Sequence, residues 1–439
     1  MRKPVKLKAL SAEDYTRLVK RSSSDFDMIL SSVIPIISAV KEKGDEAVLE
    51  FTRKFDKVNL TPDSLKVPTH RIKEAYKKVS SDVVDSLEKM RRQVESFHLH
   101  QLPAKWEIEK WVDSGSVTMG ELPISVRRAG IYVPGGKASY PSTVIMGCVP
   151  AKLAGVEQTV VCTPPSSDGS PPPEVMVAFD IAGGDVLISA GGAQAIAALA
   201  YGTETIPKVD LVVGPGNVYV NAAKVYLALR GEIGIDCSAG PSEVLIIADD
   251  TAPSSWVVWD LLAQVEHDEF AWGVVLTTSE NLAREVHRKI KEELANCVRK
   301  KIIESSLNKN GFILIVEDLE EAIDFANEFA PEHLEIFTAD PERYLHLIKN
   351  AGSVFLGPFS PVAAGDYGTG VNHILPTGGV ARFSSGLSIQ TFIKRVYFQY
   401  LSSDALSFMK EPISSLARHE GFQAHLKSIE VRFKKKKEN

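Results

Sequence analysis

Val186-Leu-Ile-Ser-Ala-Gly-Gly-Ala-Gln-Ala-Ile-Ala-Ala-Leu-Ala200 carries a strand, a turn and a helix in one short run. Val186–Ser189 is apolar, too short for a helix and bounded by turn residues, which reads as a buried strand. Gly191 and Gly192 interrupt it, and the alanine-rich remainder reads as a helix opening directly after them. The same order recurs on both sides. Gly130–Val133 is a strand followed by a glycine turn and a helix through Met146 and Ala151. Thr159–Cys162 leads through a Pro/Ser/Gly loop, Pro164 to Pro173, into another helix, and Leu211–Val213 leads through Gly214-Pro-Gly-Asn217 into a further one. Downstream come strands at Val244–Ala248, Gly273–Thr277 and Gly311–Val316, near 334–337 and near 353–356, with helices over 254–268 and from Asp318. Apolar strands alternating with helices predict parallel sheets covered on both faces, an α/β class. Two blocks, about 125–240 and 241–380, fit this better than one very wide sheet, and no sequence repeat links them.

The flanks read differently. Residues 1–124 are charged and mostly helical in period, as in Asp25–Val40 and Arg71–Glu95, and beyond 380 the pattern is helical to about residue 430. The expected organisation is therefore 1–124, 125–240, 241–380 and 381–439, which suits a chain of 439 residues. A net charge of −6 leaves no basic surplus to neutralise phosphates, so nucleic acid is excluded as the main partner. The basic end, Val431–Asn439, reads as a solvated tail. No apolar span reaches transmembrane length and no leader is evident, so no membrane association is expected. The four cysteines, Cys148, Cys162, Cys237 and Cys297, form no CxxC pair. They read as small buried hydrophobes in a reducing, cytoplasmic compartment.

Glycine loops follow three strands of the first block directly: Tyr132-Val-Pro-Gly-Gly-Lys137, Ala190-Gly-Gly-Ala-Gln194 and Gly214-Pro-Gly-Asn217. Free N–H groups at such carboxyl ends favour an anion, so a nucleotide or phosphate crevice is expected, although no GxGxxG is present. Gln264 and His267 lie one helical turn apart, a weak signal because a histidine near a helix C-terminus more often answers the dipole. Glu332 and His333 stand at a helix-to-strand junction, where a carboxylate and an imidazole can handle protons near neutrality. Ala363–Gly379, with five glycines and a proline, reads as neither helix nor ordinary strand, yet it carries Asp366 and His373. Glu420 and His425 follow near the end. Each of these has a bland alternative as a cap or a solvated charge. The chain has no HExxH and no GxSxG, so a metal site would be assembled from distant segments with mixed N and O ligands, which suits zinc, manganese or iron.

Taken together the motifs resemble the histidinol dehydrogenase family over roughly residues 25 to 430. The stretches are GIYVPGGKASYPSTVIM, GGAQAIAALAYGTETIPKVD, VGPGNVYV, AGPSEVLIIAD, QVEHD, APEHLEIF, GDYGTGVNHILPT and EGFQAH, in that order. The resemblance implies a zinc-dependent, NAD-linked oxidation of L-histidinol through L-histidinaldehyde to L-histidine, the last step of histidine biosynthesis. It implies two incomplete Rossmann-like parallel-sheet domains, a helical N-terminal part and a C-terminal helical tail exchanged in a homodimer. Zinc would be held by Gln264, His267, Asp366 and His425. NAD contacts would fall on Tyr132, Gln194 and Asn217, and substrate contacts on Ser242, His333, Asp366, His373, Glu420 and the metal ligands. Glu332 and His333 would be catalytic, with Glu420 and His425 supplied in trans.

The nearest rival keeps this fold but oxidises another small alcohol, such as a sulfonated propanediol. Such a substrate lacks an imidazole and would not need the full ligand set. A non-catalytic metal-binding relative should have lost Glu332 or His333, and a zinc hydrolase has no use for three dinucleotide loops. Departures from the family pattern at Gly147-Cys148, Cys237-Ser238 and Tyr226–Gly231 touch none of the implied site residues.

Overall fold

The computed structural model describes residues 1–21, 26–135, 139–237 and 240–433. Asp25, Gly136, Lys137, Ser238, Ala239 and the basic run from residue 434, all discussed above, lie outside them. The strands in chain order are β1 (Val5–Lys6), β2 (Trp106–Val112), β3 (Gly115–Ser125), β4 (Arg128–Tyr132), β5 (Gln158–Thr163), β6 (Val186–Ser189) and β7 (Leu211–Val213). They continue as β8 (Gly234–Ile235), β9 (Glu243–Ala248), β10 (Trp272–Thr277), β11 (Gly311–Ile315), β12 (His333–Phe337), β13 (Ser353–Leu356) and β14 (Ile393–Leu401).

Two sheets are parallel throughout. The first runs β6-β5-β4-β7-β8. Alternation along its strands sends side chains to two separate cores. Ile131, Val161 and Leu187 pack with the helices Pro141–Leu153 and Pro173–Ile181, whereas Tyr132, Val160, Cys162 and Ile188 pack with Gly192–Tyr201 and Val218–Leu229. That is the both-faces burial expected of continuous apolar strands. The order reverses between β4 and β7, a switch point that opens a crevice at the carboxyl ends of these two strands. The second sheet runs β1-β11-β10-β9-β12-β13 and reverses between β9 and β12.

The chain divides into two compact units. One comprises Met1–Leu102 and Val126–Phe392 and contains both parallel sheets. The other comprises Pro103–Ser125 and Ile393–Asn439. Its core element is an antiparallel sheet ordered β14-β3-β2, followed in the chain by the helices Ser403–His419 and Gln423–Glu430.

Three expectations need correction. The terminal regions are not wholly helical: β1, β2 and β3 lie in the first, and β14 in the last. Trp106-Glu-Ile-Glu-Lys-Trp-Val112 and Ile393-Lys-Arg-Val-Tyr-Phe-Gln-Tyr-Leu401 are rich in the β-branched and aromatic residues that favour strands. The long helical periods beside them hide that short signal. The stretch Ala363–Gly379 is also not loop throughout, because Val362–Tyr367 is a helix. Gly365 serves packing there, since a Cβ would come 2.7 Å from the Phe355 ring.

Cys148, Cys162 and Cys237 are buried, Cys297 is half-buried and all are free thiols. Burial pushes Cys148 and Cys237 up to about 12, so neither is a ready nucleophile. Among the described residues no helix is long and apolar enough to cross a membrane.

Candidate active site

Five of the expected residues are built on the amino ends of β9 and β12 and the segments beside them. Parallel pairing sets His333 opposite Val244, which brings Glu332 and His333 alongside Glu243. Glu332 departs from the ladder. Its Oε2 takes the place of a strand carbonyl and accepts from the Glu243 N–H at 2.7 Å. His333 Nδ1 lies 3.1 Å from the Glu243 carbonyl oxygen. A carbonyl only accepts, so Nδ1 carries the proton and Nε2 keeps its lone pair. Both residues are buried, at 7% and 4% exposure. Burial, reinforced by His267 and His373, pushes His333 down to about 3, so the ring is neutral at physiological pH. Burial, with the charges of Glu243 and Asp366 added, holds Glu332 well above the usual carboxylate range despite the N–H it accepts from. Neighbouring Ser242 lends its carbonyl to the Trp272 N–H at 2.9 Å, tying the start of β9 to β10.

The short helix Val362–Tyr367 delivers Asp366 to the same end. Its first N–H, on Val362, donates to Glu335 Oε1 at 3.1 Å, so a fully buried carboxyl two residues beyond His333 anchors it. His373 Nδ1 donates to the Asp366 carbonyl at 3.2 Å and lies 3.8 Å from Asp366 Oδ1. Its Nε2 is therefore also unprotonated. Burial raises Asp366 to about 7 and lowers His373 to about 4. The helix Ser254–Val265 packs on Val362–Tyr367 and carries the buried Gln264 in its last turn, with His267 following. Burial also lowers His267.

In kind, these donors suit a zinc-class ion: neutral imidazoles, a carboxyl near neutrality and an amide. Gln264, at 3% exposure, is the amide of this set. Among the described residues no group of three or more His, Cys, Asp or Glu is arranged to hold a metal ion. The set implied by resemblance differs in counting an amide, Gln264, and an imidazole from the second unit, His425.

The glycine loops converge at the switch point of the first sheet. Buried Tyr132 accepts from the Gly192 N–H through its hydroxyl at 3.0 Å, joining the first loop to the second. A Cβ on Gly214 would stand 2.2 Å from the Tyr132 carbonyl oxygen, so only glycine lets the third loop approach the first. Gln194 is 1% exposed and its Oε1 has no partner among the described residues, the kind of orphan that a bound ligand satisfies. Asn217 spends its Oδ1 as a helix cap, accepting from Tyr219 and Val220 N–H groups at 3.0 and 3.1 Å. Behind the third loop Lys224 is 1% exposed, with Nζ 3.0 Å from the Gly214 carbonyl oxygen and 2.5 Å from Asp236 Oδ1. Asp236 Oδ2 accepts in turn from the Gly214 N–H at 2.8 Å. Reasoning from sequence missed this clamp, as it missed Glu335. A charged residue in an otherwise apolar helix or strand was the only available signal.

Glu420 and His425 belong to the second unit. Glu420 ends the helix Ser403–His419, and His425 lies on Gln423–Glu430, which has no buried residue. The Phe422 and His425 rings are 5.2 Å apart.

A family model described as histidinol dehydrogenase matches residues 19–433. The chain is 45% identical to a histidinol dehydrogenase of Methanocaldococcus jannaschii over 98% of both chains. It is 46% identical to one of Methanothermobacter thermautotrophicus, covering 96% of this chain and 98% of the other. The crystal structure of histidinol dehydrogenase from Elizabethkingia anophelis superimposes with a TM-score of 0.89 at 35% identity, over 96% of each chain.

Proposed function

The chain belongs to the histidinol dehydrogenase family and is an NAD-dependent oxidoreductase, and we propose that it oxidises L-histidinol by four electrons to L-histidine, the last step of histidine biosynthesis. The observation that carries this reading is the neutral, single-tautomer His333 buried beside Glu332. Gln264, His267, Asp366 and His425 would hold a zinc ion, which would supply a template for the imidazole and amine of the substrate, and bound NAD would supply the hydride acceptor for each oxidation.

The protein's own task is proton handling and positioning. Loss of hydride from the alcohol carbon requires the hydroxyl proton to leave, and His333 Nε2 takes it. The aldehyde cannot give up a second hydride until water adds to its carbonyl. Glu332 removes a proton from that water while protonated His333 returns its proton to the carbonyl oxygen, which gives the hydrate and frees Nε2 again. Burial makes Glu332 a stronger base than an exposed carboxylate once it is ionised. His333 then takes the hydroxyl proton of the hydrate as the second hydride departs, leaving the carboxylate. His373, Ser242 and Glu420 complete the substrate contacts, and Tyr132, Gln194 and Asn217 hold the cofactor. In this reading the enzyme is a cytoplasmic homodimer whose C-terminal segments exchange, each lending Glu420 and His425 to its partner.

Stoichiometry tests the reading. Purified protein should reduce two NAD per L-histidinol, and a chelator should abolish the reaction. One NAD per substrate with aldehyde released would end the four-electron assignment.

The cofactor assignment has its own test in the clamp behind the third loop. Lys224→Met should raise the KM for NAD roughly tenfold through the loss of a charged hydrogen bond, with kcat nearly unchanged. An unaltered KM in the folded variant would take the Gly214–Asn217 loop out of cofactor contact.

A further inference from the structure

We propose that Arg21 and Glu243 form a positioning pair that sets the geometry of Glu332 and His333; this rests on the assignment of those two residues as catalytic. The pair is bidentate, with Arg21 Nε 2.7 Å from Glu243 Oε1 and Nη2 2.9 Å from Oε2. The side chains are 0% and 1% exposed. An ion pair so far from water is not a general source of stability, because desolvating both charges offsets their attraction. Its connections indicate what it does.

Apart from the Leu18 carbonyl, the groups that the Arg21 and Glu243 side chains engage lead to the catalytic residues or to the segment carrying His373. The Glu243 main chain holds both of them, its N–H on Glu332 and its carbonyl on His333. The Glu243 side chain also accepts from the Gly378 N–H at 2.9 Å, which ties in the segment that follows His373. Arg21 stacks its guanidinium 3.5 Å above the Phe329 ring and donates to the Ala330 carbonyl at 3.4 Å. Ala330 has φ 50, a left-handed conformation that non-glycine residues rarely adopt, and Pro331 and Glu332 come straight after it. Arg21 therefore braces the turn that launches Glu332, while Glu243 holds the carboxylate and imidazole at the far side. Its remaining amine reaches back to the Leu18 carbonyl at 2.7 Å, fastening the pair to the helix Ala12–Val19. None of these contacts involves a glycine loop of the first sheet.

This arrangement predicts a kinetic signature. Arg21→Met should lower kcat roughly a hundredfold, because a displacement of about 1 Å in a proton acceptor costs that much, with the KM for NAD and the zinc content unchanged. Arg21→Lys keeps the charge but makes only part of the contact, and it should recover about tenfold of the loss. The paired variant Arg21→Met with Glu243→Met removes both charges and so leaves no stranded ion. It should fold even if the single variant does not, and it should remain slow. Wild-type kcat in the folded paired variant, or a change confined to the KM for NAD, would overturn the proposal. Glu332→Gln and His333→Gln are measured alongside: full activity in these would refute their catalytic assignment, whatever the Arg21 variants do.

Discussion

His333→Gln is expected to cut kcat by roughly 10³-fold or more, towards the upper end of what a positioned proton acceptor contributes. The size follows from the site. In the native enzyme Nδ1 is committed to the Glu243 carbonyl, so all base function resides in one nitrogen, Nε2. That nitrogen is needed in both oxidations, so no half-reaction escapes. A glutamine amide can still donate to the carbonyl but offers no basic lone pair, which separates chemistry from packing. Glu332 is 3.5 Å from the imidazole and provides a poor substitute, because burial favours its protonated form. Zinc content and the KM for NAD should be unchanged, because His333 belongs to neither proposed ligand set. Steady-state rates with metal analysis of the same sample decide the matter. Loss of zinc, or a rate within tenfold of wild type, would mean that the base is another group.

What could be read from sequence divides along the range of the interactions. Strands of a parallel sheet buried on both faces leave an unbroken apolar run, so β4 to β7 and β9 to β13 were visible locally, apart from their end residues. Glu332, His333, Asp366 and His373 were visible as polar groups at element ends. Arg21 and Glu243 were not, because they are 222 residues apart and no local period connects them. The Lys224–Asp236 clamp hid in the same way, as a charge inside an otherwise apolar helix. The exposed antiparallel strands β2 and β14 gave a weak pattern, since nearly every position of both faces solvent in the chain. General rules for open sheets also pointed at one end only. They apply to the glycine loops at the carboxyl ends of β4, β6 and β7, but Glu332 and His333 stand at the amino end of the second sheet, where β9 and β12 begin. That position follows from the helix Ser254–Val265: it returns antiparallel to the strands, so its last turn and the residues just after it deliver Gln264 and His267 to the end where β10 starts.

Mixing two inactive proteins should restore activity if the segments bearing Glu420 and His425 exchange between subunits. His425→Asn disables only the donated segment, and Glu332→Gln disables only the receiving body. In a heterodimer one site then combines an intact body with an intact segment, while the other carries both defects. Random reassortment from equal amounts makes half the dimers mixed, so about a quarter of wild-type activity should appear, against almost none in either parent. The second unit itself motivates the experiment. The helix Gln423–Glu430 has no buried residue, and Phe408, Leu416 and Phe422 are 57%, 64% and 52% exposed. Helical stability in proteins comes mainly from packing an apolar face, and a helix of this length left in water is marginal. An apolar surface of this kind beside His425 fits a segment that docks on a second copy of the chain. If each segment instead served its own body, every heterodimer would hold two damaged sites and the mixture would stay as inactive as its components. Activity that rises on mixing and disappears when the subunits are cross-linked beforehand as homodimers would establish donation in trans.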